Sequence, residues 1–266
     1  MEIIGYILAV GIGVLLGLIG GGGSILTVPV LVYFFHLNPV IATGYSLFIV
    51  GVTALVGVIP KFKSGMVHLP TAIIFGIPSI VSVYLTRAYL LPIMPDDILV
   101  INDFILTKSK ALLLLFALLM IASSFSLIKK EKNKSEQEEA TTVRHPYPLI
   151  IAEGLIVGVL TGLVGAGGGF LIIPALVLLS KLPMKTAIGT SLLIIGLKSS
   201  LGFAGDLMHQ KVDWTFLFVI TLLAISGIFI GNRLVHRIQA TSLKKSFGWM
   251  VLSVGIAMII KEIISL

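Results

Sequence analysis

The 266-residue chain is 57% hydrophobic and only 12% charged, with a mean hydropathy of +1.10, so it has too little polar surface to cover a water-soluble globule of its length. A formal charge of +7 raises nucleic acid as a partner, but the Lys and Arg residues fall in short connections between apolar stretches, where membrane topology accounts for them and no nucleic acid is expected. The absence of cysteine excludes disulfides and thiolate metal sites.

What remains is an all-α polytopic protein of the lipid bilayer, in which about 20 apolar residues are needed to cross a ~30 Å hydrocarbon core. The first segment, about Ile3 to Ile19, has Glu2 where a secretory signal has its basic start, and it runs past any small-residue cleavage site, so it is expected to be retained. Gly20 to Gly23 interrupt it. The apolar piece that follows, about Ser24 to Phe35, rises only ~18 Å as a helix and reads as a re-entrant half-helix, tolerated at that depth when buried in protein or lining a cavity. Pro29 fits either a late helix start or a kink. Spans follow at about Val40 to Ile59, Leu69 to Leu91 and Ala111 to Ile128. The basic stretch Pro60 to His68 and the polar stretch Pro92 to Lys110 between them read as loops, the second extramembrane or interfacial.

Residues 129–147 form a charged cytoplasmic linker, with four Lys, one Arg and four Glu between Lys129 and His145. The plan then recurs. Tyr147 to Val164, the glycines of Gly165 to Gly169, a short segment Phe170 to Ser180, and spans at about Met184 to Ala204, Trp214 to Ile230 and Phe247 to Ile264 complete the chain. At a constant offset of 145 positions, Gly17, Gly20, Gly22, Gly23, Pro29, Gly44, Ser46 and Gly51 fall on Gly162, Gly165, Gly167, Gly168, Pro174, Gly189, Ser191 and Gly196. The chain is therefore read as two repeats, residues 1–128 and 148–266, each with three to four spanning helices plus a Gly-rich re-entrant or short-helix hairpin. An odd number of membrane-entering segments per copy turns the second copy upside down, giving two inverted repeats.

Charge supports that reading. If each Gly-rich pair returns to its starting side, thirteen Lys and Arg residues gather on one face and only Arg87, Lys108, Lys110, Lys211 and Lys261 fall on the other. A continuous crossing would divide the same residues nine against nine. The positive-inside rule then places the linker in the cytoplasm and both termini outside.

The paired motifs GLIGGGGSILTVPVL and GLVGAGGGFLIIPALV, each followed by an Ala-x-Gly-x-Ser-Leu element (ATGYSL and AIGTSL), resemble those of the sulfite exporter TauE/SafE family of membrane permeases. The resemblance covers nearly the whole chain outside the linker. It implies transport of small sulfur oxyanions or organosulfonates such as sulfite or sulfoacetate, outward across the bacterial inner membrane. A permease for another small ion or metabolite in the same scaffold is the alternative. A membrane-embedded enzyme is not expected, because all five histidines fall in or beside loops and no nucleophile with a base, or pair of acids, lies at membrane depth. No cofactor is expected, and Asp206, His209 and Asp213 read as a loop cluster without metal spacing.

The chemistry of the glycine runs fits an anionic substrate. Exposed amides at a helix N-terminus attract anions without a basic side chain, and Gly22, Gly23 and Ser24 in one copy and Gly167, Gly168 and Gly169 in the other would carry two such ends toward mid-membrane. Close helix packing through small residues is the competing reading. Thr43 and Ser46, with Thr190 and Ser191, offer hydroxyl donors at comparable places, or bond within their own helices. Lys198 lies inside a span, where a buried ammonium is costly enough to indicate function, unless it snorkels to the outer interface. Glu153 reads as an interfacial partner of a nearby cation. With no other ionisable group inside a span, export driven by membrane potential alone, without a coupling ion, is the expectation.

Overall fold

The computed structural model describes residues 2–101, 104–128, 147–178, 180–234 and 240–264. The charged linker lies outside the described residues except for Tyr147, which opens a helix. Helix α1 (Glu2–Ile19) leads into a 3-10 stretch (Gly20–Leu26) and the short α2 (Thr27–Tyr33). Helices α3 (Pro39–Lys63) and α4 (Leu69–Leu85) follow; α4 passes through a π-helical turn (Thr86–Leu90) into the single turn α5 (Leu91–Ile93). Strands β1 (Asp97–Ile101) and β2 (Phe104–Thr107) precede α6 (Lys108–Ile128). The second half comprises α7 (Tyr147–Val164), α8 (Gly169–Leu178), α9 (Met184–Asp206), α10 (Trp214–Leu234) and α11 (Ala240–Ile264). Among the described residues, seven helical stretches are long and apolar enough to cross a membrane, and Pro148–Val164 is a shorter apolar helix.

The loop expected between α4 and α6 contains an antiparallel hairpin, so the protein is not helical throughout. Asp97 faces Thr107 and Ile101 faces Phe104, and the hairpin is closed at its base by the Lys108 amide on the Asp96 carbonyl (2.7 Å) and by a Lys108–Asp96 ion pair (3.0 Å). Ile98, Val100 and Ile105 suit a strand, and two pairing strands satisfy backbone groups that an irregular loop would leave to water.

The first Gly-rich unit doubles back. Phe35, just beyond α2, packs edge-on against Tyr6 at 5.2 Å between ring centroids, and a Cβ on Gly5 would meet the Phe35 ring at 2.6 Å. A chain crossing continuously would end ~40 Å from where it began. α2 is a late start: Pro29 sits in its first turn, where a missing N–H costs little.

Glycines set the helix contacts. Backbone of α10 lies against Gly13 and Gly17 of α1, and backbone of α1 lies against Gly227 and Gly231 of α10. The equivalents of Gly13 and Gly17 in the second copy, Gly158 and Gly162, pack in the same sense against Ser79, Ser82 and Thr86 at the end of α4. Removing Cβ lets helices approach backbone to backbone, where van der Waals packing replaces the hydrophobic drive that lipid cannot supply. Gly44 approaches Asp206 and Gly51 approaches Ser200, so α3 and α9 run antiparallel. α6 and α11 are likewise antiparallel, with Gly248 at Ile128 and Gly255 at Ile121.

Two hydrogen bonds carry the same exchange down to single atoms. The amide of His68 donates to Thr190 Oγ1 (2.9 Å), and the amide of Asp213 donates to Tyr45 Oη (2.6 Å). Residues 68 and 213, and 45 and 190, are each 145 apart. His68 and Asp213 also cap their helices in the same way, accepting from the amides of Thr71 and Phe216.

Candidate functional site

The two glycine runs touch. A Cβ on Gly169 would collide with the Cα, carbonyl carbon and oxygen of Gly21, and a Cβ on Gly21 would collide with Gly169 Cα. Gly20 packs against Ile188, and its equivalent Gly165 packs against Thr43, the equivalent of Ile188. Both hold φ at +74°, a left-handed conformation that side chains rarely adopt.

The runs nevertheless differ. Gly22, Gly23 and Ser24 lie within the 3-10 stretch instead of opening an α-helix, and Ser24 Oγ donates to the Gly21 carbonyl (2.7 Å). The second run is the sharper break: Gly167 and Gly168 also take positive φ (+64° and +73°), and Gly169 starts α8, whose first carbonyl bond runs from the Ile172 amide to Gly168 O (2.9 Å). Three left-handed glycines reverse the chain abruptly, and α8 starts directly after them. The first run, with one such glycine, turns gradually and uses its amides internally.

Lys198 stands at the second run. Its side chain is 0% exposed, Nζ donates to Thr161 Oγ1 at 2.8 Å, and a Cβ on Gly168 would lie 2.8 Å from Nζ. Snorkelling is thereby overturned, since the ammonium is enclosed among α7, α8 and α9. No Asp or Glu among the described residues pairs with it. Ser199 Oγ, beside Gly167, and Ser46 Oγ on α3 are buried and lack a hydrogen-bond partner. Three of the hydroxyls expected at the site are committed: Thr43 Oγ1 to the Val40 carbonyl (2.8 Å), Ser191 Oγ to the Ile188 carbonyl (2.9 Å), and Thr190 Oγ1 as acceptor for the His68 amide. The structure thus gathers Lys198, Thr161, Gly167, Gly168 and Ser199, leaves Ser46 free, and gives Thr43, Thr190 and Ser191 structural bonds.

Three expectations need correction. Arg87, counted with the cations of the outer face, is enclosed in the protein: it is 0% exposed in the π-helical turn, and its Nη1 lies 3.3 Å from Asp206 Oδ2. Asp206 is accordingly a buried partner at the end of α9 and not a member of a loop cluster. Glu262 in α11 is also buried and accepts from Tyr33 Oη (3.2 Å), with Lys261 Nζ 4.0 Å from the Tyr33 ring centroid. The premise that no further ionisable group lies inside a span therefore fails, and with it the argument for uncoupled export from missing carboxylates. Glu153 is half-buried and forms no ion pair among the described residues. Sequence position alone hid the Arg87–Asp206 pair; the signal that could have revealed it is Gly205 with Gly202, which lets α4 close onto α9 at Arg87 and Val83.

A bundle of apolar helices, with two interrupted segments crossing backbone to backbone beside an enclosed cation, defines a multi-pass membrane transporter. Across residues 6–258 the chain matches the sequence profile of the sulfite exporter TauE/SafE family, and it belongs to that family. It is 32% identical over 251 residues to a "Probable membrane transporter protein" of Xylella fastidiosa, covering 93% of this chain and 91% of the relative. It is also 26% identical to "Probable membrane transporter protein YunE" of Bacillus subtilis, over 98% of this chain and 99% of the relative. "Probable membrane transporter protein MJ0441" of Methanocaldococcus jannaschii is 30% identical over 75% of this chain and 68% of its own length. No solved structure gives a significant match.

Proposed function

We propose that the protein carries a small oxyanion, sulfite or an organosulfonate such as sulfoacetate, out across the bacterial inner membrane, and that Lys198 is its central contact. The observation that carries this reading is the buried Nζ of Lys198, bonded to Thr161, bordered by Gly168 and without a carboxylate partner among the described residues. A charge at mid-span is expensive, and a protein keeps one there when a counter-charge visits. Amides at the start of α8 add a favourable dipole to the same spot. The antiparallel crossing of α3 and α9, equivalents at the 145-residue offset, supports inverted insertion of two repeats, 1–128 and 148–266, with the 129–147 linker cytoplasmic and both termini outside.

The test is efflux from proteoliposomes loaded with sulfite, sulfoacetate, acetate or a neutral sugar. Wild-type protein is expected to release the sulfur oxyanions, Lys198→Arg to retain part of the flux, and Lys198→Gln to lose most of it. Equal flux in Lys198→Gln and wild type would remove Lys198 from the pathway, and selective release of the sugar would remove the anion.

A further inference from the structure

Arg87 presents a second problem of charge. Its guanidinium is fully enclosed, yet only Nη1 has a partner, at 3.3 and 3.4 Å from the two Asp206 oxygens, while Nε and Nη2 are buried with no hydrogen-bond partner. Leaving a buried donor unmade costs ~1–3 kcal/mol, more on a charged group. If Arg87 and Asp206 served only to hold α4 to α9, a bidentate pairing would fit far better. Nε and Nη2 share one edge of the guanidinium plane, the fork that receives two oxygens of a single oxyanion side-on.

We infer that Arg87 is a second oxyanion site, at the Asp206 end of α9, in which Asp206 holds the Nη1 corner and the Nε/Nη2 edge receives two oxygens of a sulfite, sulfonate or carboxylate. This rests on the reading of the protein as an oxyanion carrier. Two further features suit it. Arg87 sits in a π-helical turn, a local distortion that often serves function and here re-aims a side chain that a regular α-helix would direct elsewhere. Close by, Gly44 and Gly205 let backbone close tightly on the pair, with Cβ positions 2.7 Å from Asp206 Oδ2 and 3.0 Å from Arg87 Cβ, which keeps the guanidinium dry. Lys198 and Asp206 are eight residues apart on α9, so the two sites are separated by ~12 Å along the helix. An anion leaving Lys198 meets Arg87 next. Asp206 neutralises Arg87 while the site is empty and competes with the arriving anion, so the site binds weakly enough to release.

The experiment is calorimetric titration of purified protein in detergent with sulfite, acetate and chloride, using wild type, Arg87→Lys, Asp206→Asn and Lys198→Gln. A fork prefers two-oxygen anions to a spherical one. With Lys198→Gln as background, sulfite and acetate are expected to bind more tightly than chloride; adding Arg87→Lys should cost about tenfold in sulfite affinity and erase that preference, and adding Asp206→Asn should tighten sulfite about threefold or more. Unchanged sulfite-to-chloride discrimination in a folded Arg87→Lys protein overturns the site. Should Arg87→Lys not fold, Asp206→Asn decides, because a purely structural ion pair predicts no gain in affinity. Arg87-dependent binding without any oxyanion flux in proteoliposomes would overturn the transport reading and leave this site standing; flux with unaltered discrimination would do the reverse.

Discussion

Replacing Lys198 by Met should make the protein more stable and less active. A lysine at the centre of a span costs about 2.5–3.5 kcal/mol on the insertion scale. Against this the structure sets one charge-assisted hydrogen bond, to Thr161 Oγ1 at 2.8 Å, which returns about 1.5–3 kcal/mol. The hydroxyl is not orphaned when the amine is removed, because Thr161 Oγ1 also donates to the Gly158 carbonyl (3.3 Å). Methionine fills nearly the same volume with no charge to bury. The balance favours the variant by ~1 kcal/mol, which for a chain of this size raises the melting temperature by about 2–4 °C. Trp214 and Trp249 provide a fluorescence signal for the melt in detergent, and sulfite efflux provides the activity. A Lys198→Met protein that melted several degrees lower, with flux falling only in step with folded protein, would show that the ammonium serves the fold and refute the reasoning.

Gly169→Ala, whose Cβ would run into Gly21 backbone, should cost about 1–3 kcal/mol by melting and most of the flux, whereas Gly22→Ala, meeting only side chains, Ile19 Cγ2 at 3.0 Å and Phe247 Cε1 at 3.5 Å, should cost less than about 1 kcal/mol. Equal losses would mean that the crossing is not the constraint. Ser46→Ala should raise the KM for sulfite several-fold, while Thr43→Val and Ser191→Ala, whose hydroxyls bond within their helices, should leave it unchanged; transport kinetics in liposomes separate them. In intact cells, a single cysteine at Ser135 should resist an impermeant maleimide from outside and one at Lys211 should react, the native chain having no cysteine to interfere; labelling at Ser135 would reverse the topology. An imposed potential of 100 mV should sustain roughly a fifty-fold gradient of a monoanion at equal pH, since each charge moved gains ~2.3 kcal/mol; efflux that followed only a pH gradient would point to coupling through a carboxylate.

The helical spans and the two interruptions were legible because they depend on local composition: runs of apolar residues, and glycines where a chain must turn inside lipid. Hydropathy and loop charge also sufficed for the doubling back at Gly20 to Gly23, which Phe35 on Tyr6 bears out. Less legible were groups whose character depends on distant neighbours. Arg87 reads as a cation at the outer end of its span, yet α9 covers it through Gly205. Glu262 looks terminal, and Tyr33, 229 positions earlier, supplies its partner. The hairpin at Asp97–Thr107 escaped because its alternation is short and its acidic residues suggest a solvated loop. Thr190 could not be read from its own surroundings either, since it holds the backbone of His68 across the molecule.

The duplication makes the positions of the polar groups comparable, and the comparison is informative. At the 145-residue offset Lys198 falls on Thr53, Arg87 on Asn232 and Asp206 on Lys61. Thr53 Oγ1 and Asn232 Oδ1 are both buried without a hydrogen-bond partner, as are Nε and Nη2 of Arg87. Each such orphaned polar group in an apolar core costs more than it contributes to the fold. Here Lys198 is matched by the neutral Thr53 and Arg87 by the neutral Asn232, while Asp206 is matched by Lys61. A symmetric pair of cations at the centre would hold an anion more tightly than one; a single ammonium, with a threonine at the equivalent place in the other copy, gives one attractive point. On the transport reading proposed above, the asymmetry between Lys198 and Thr53 is what lets an anion be bound at the crossing and still move on.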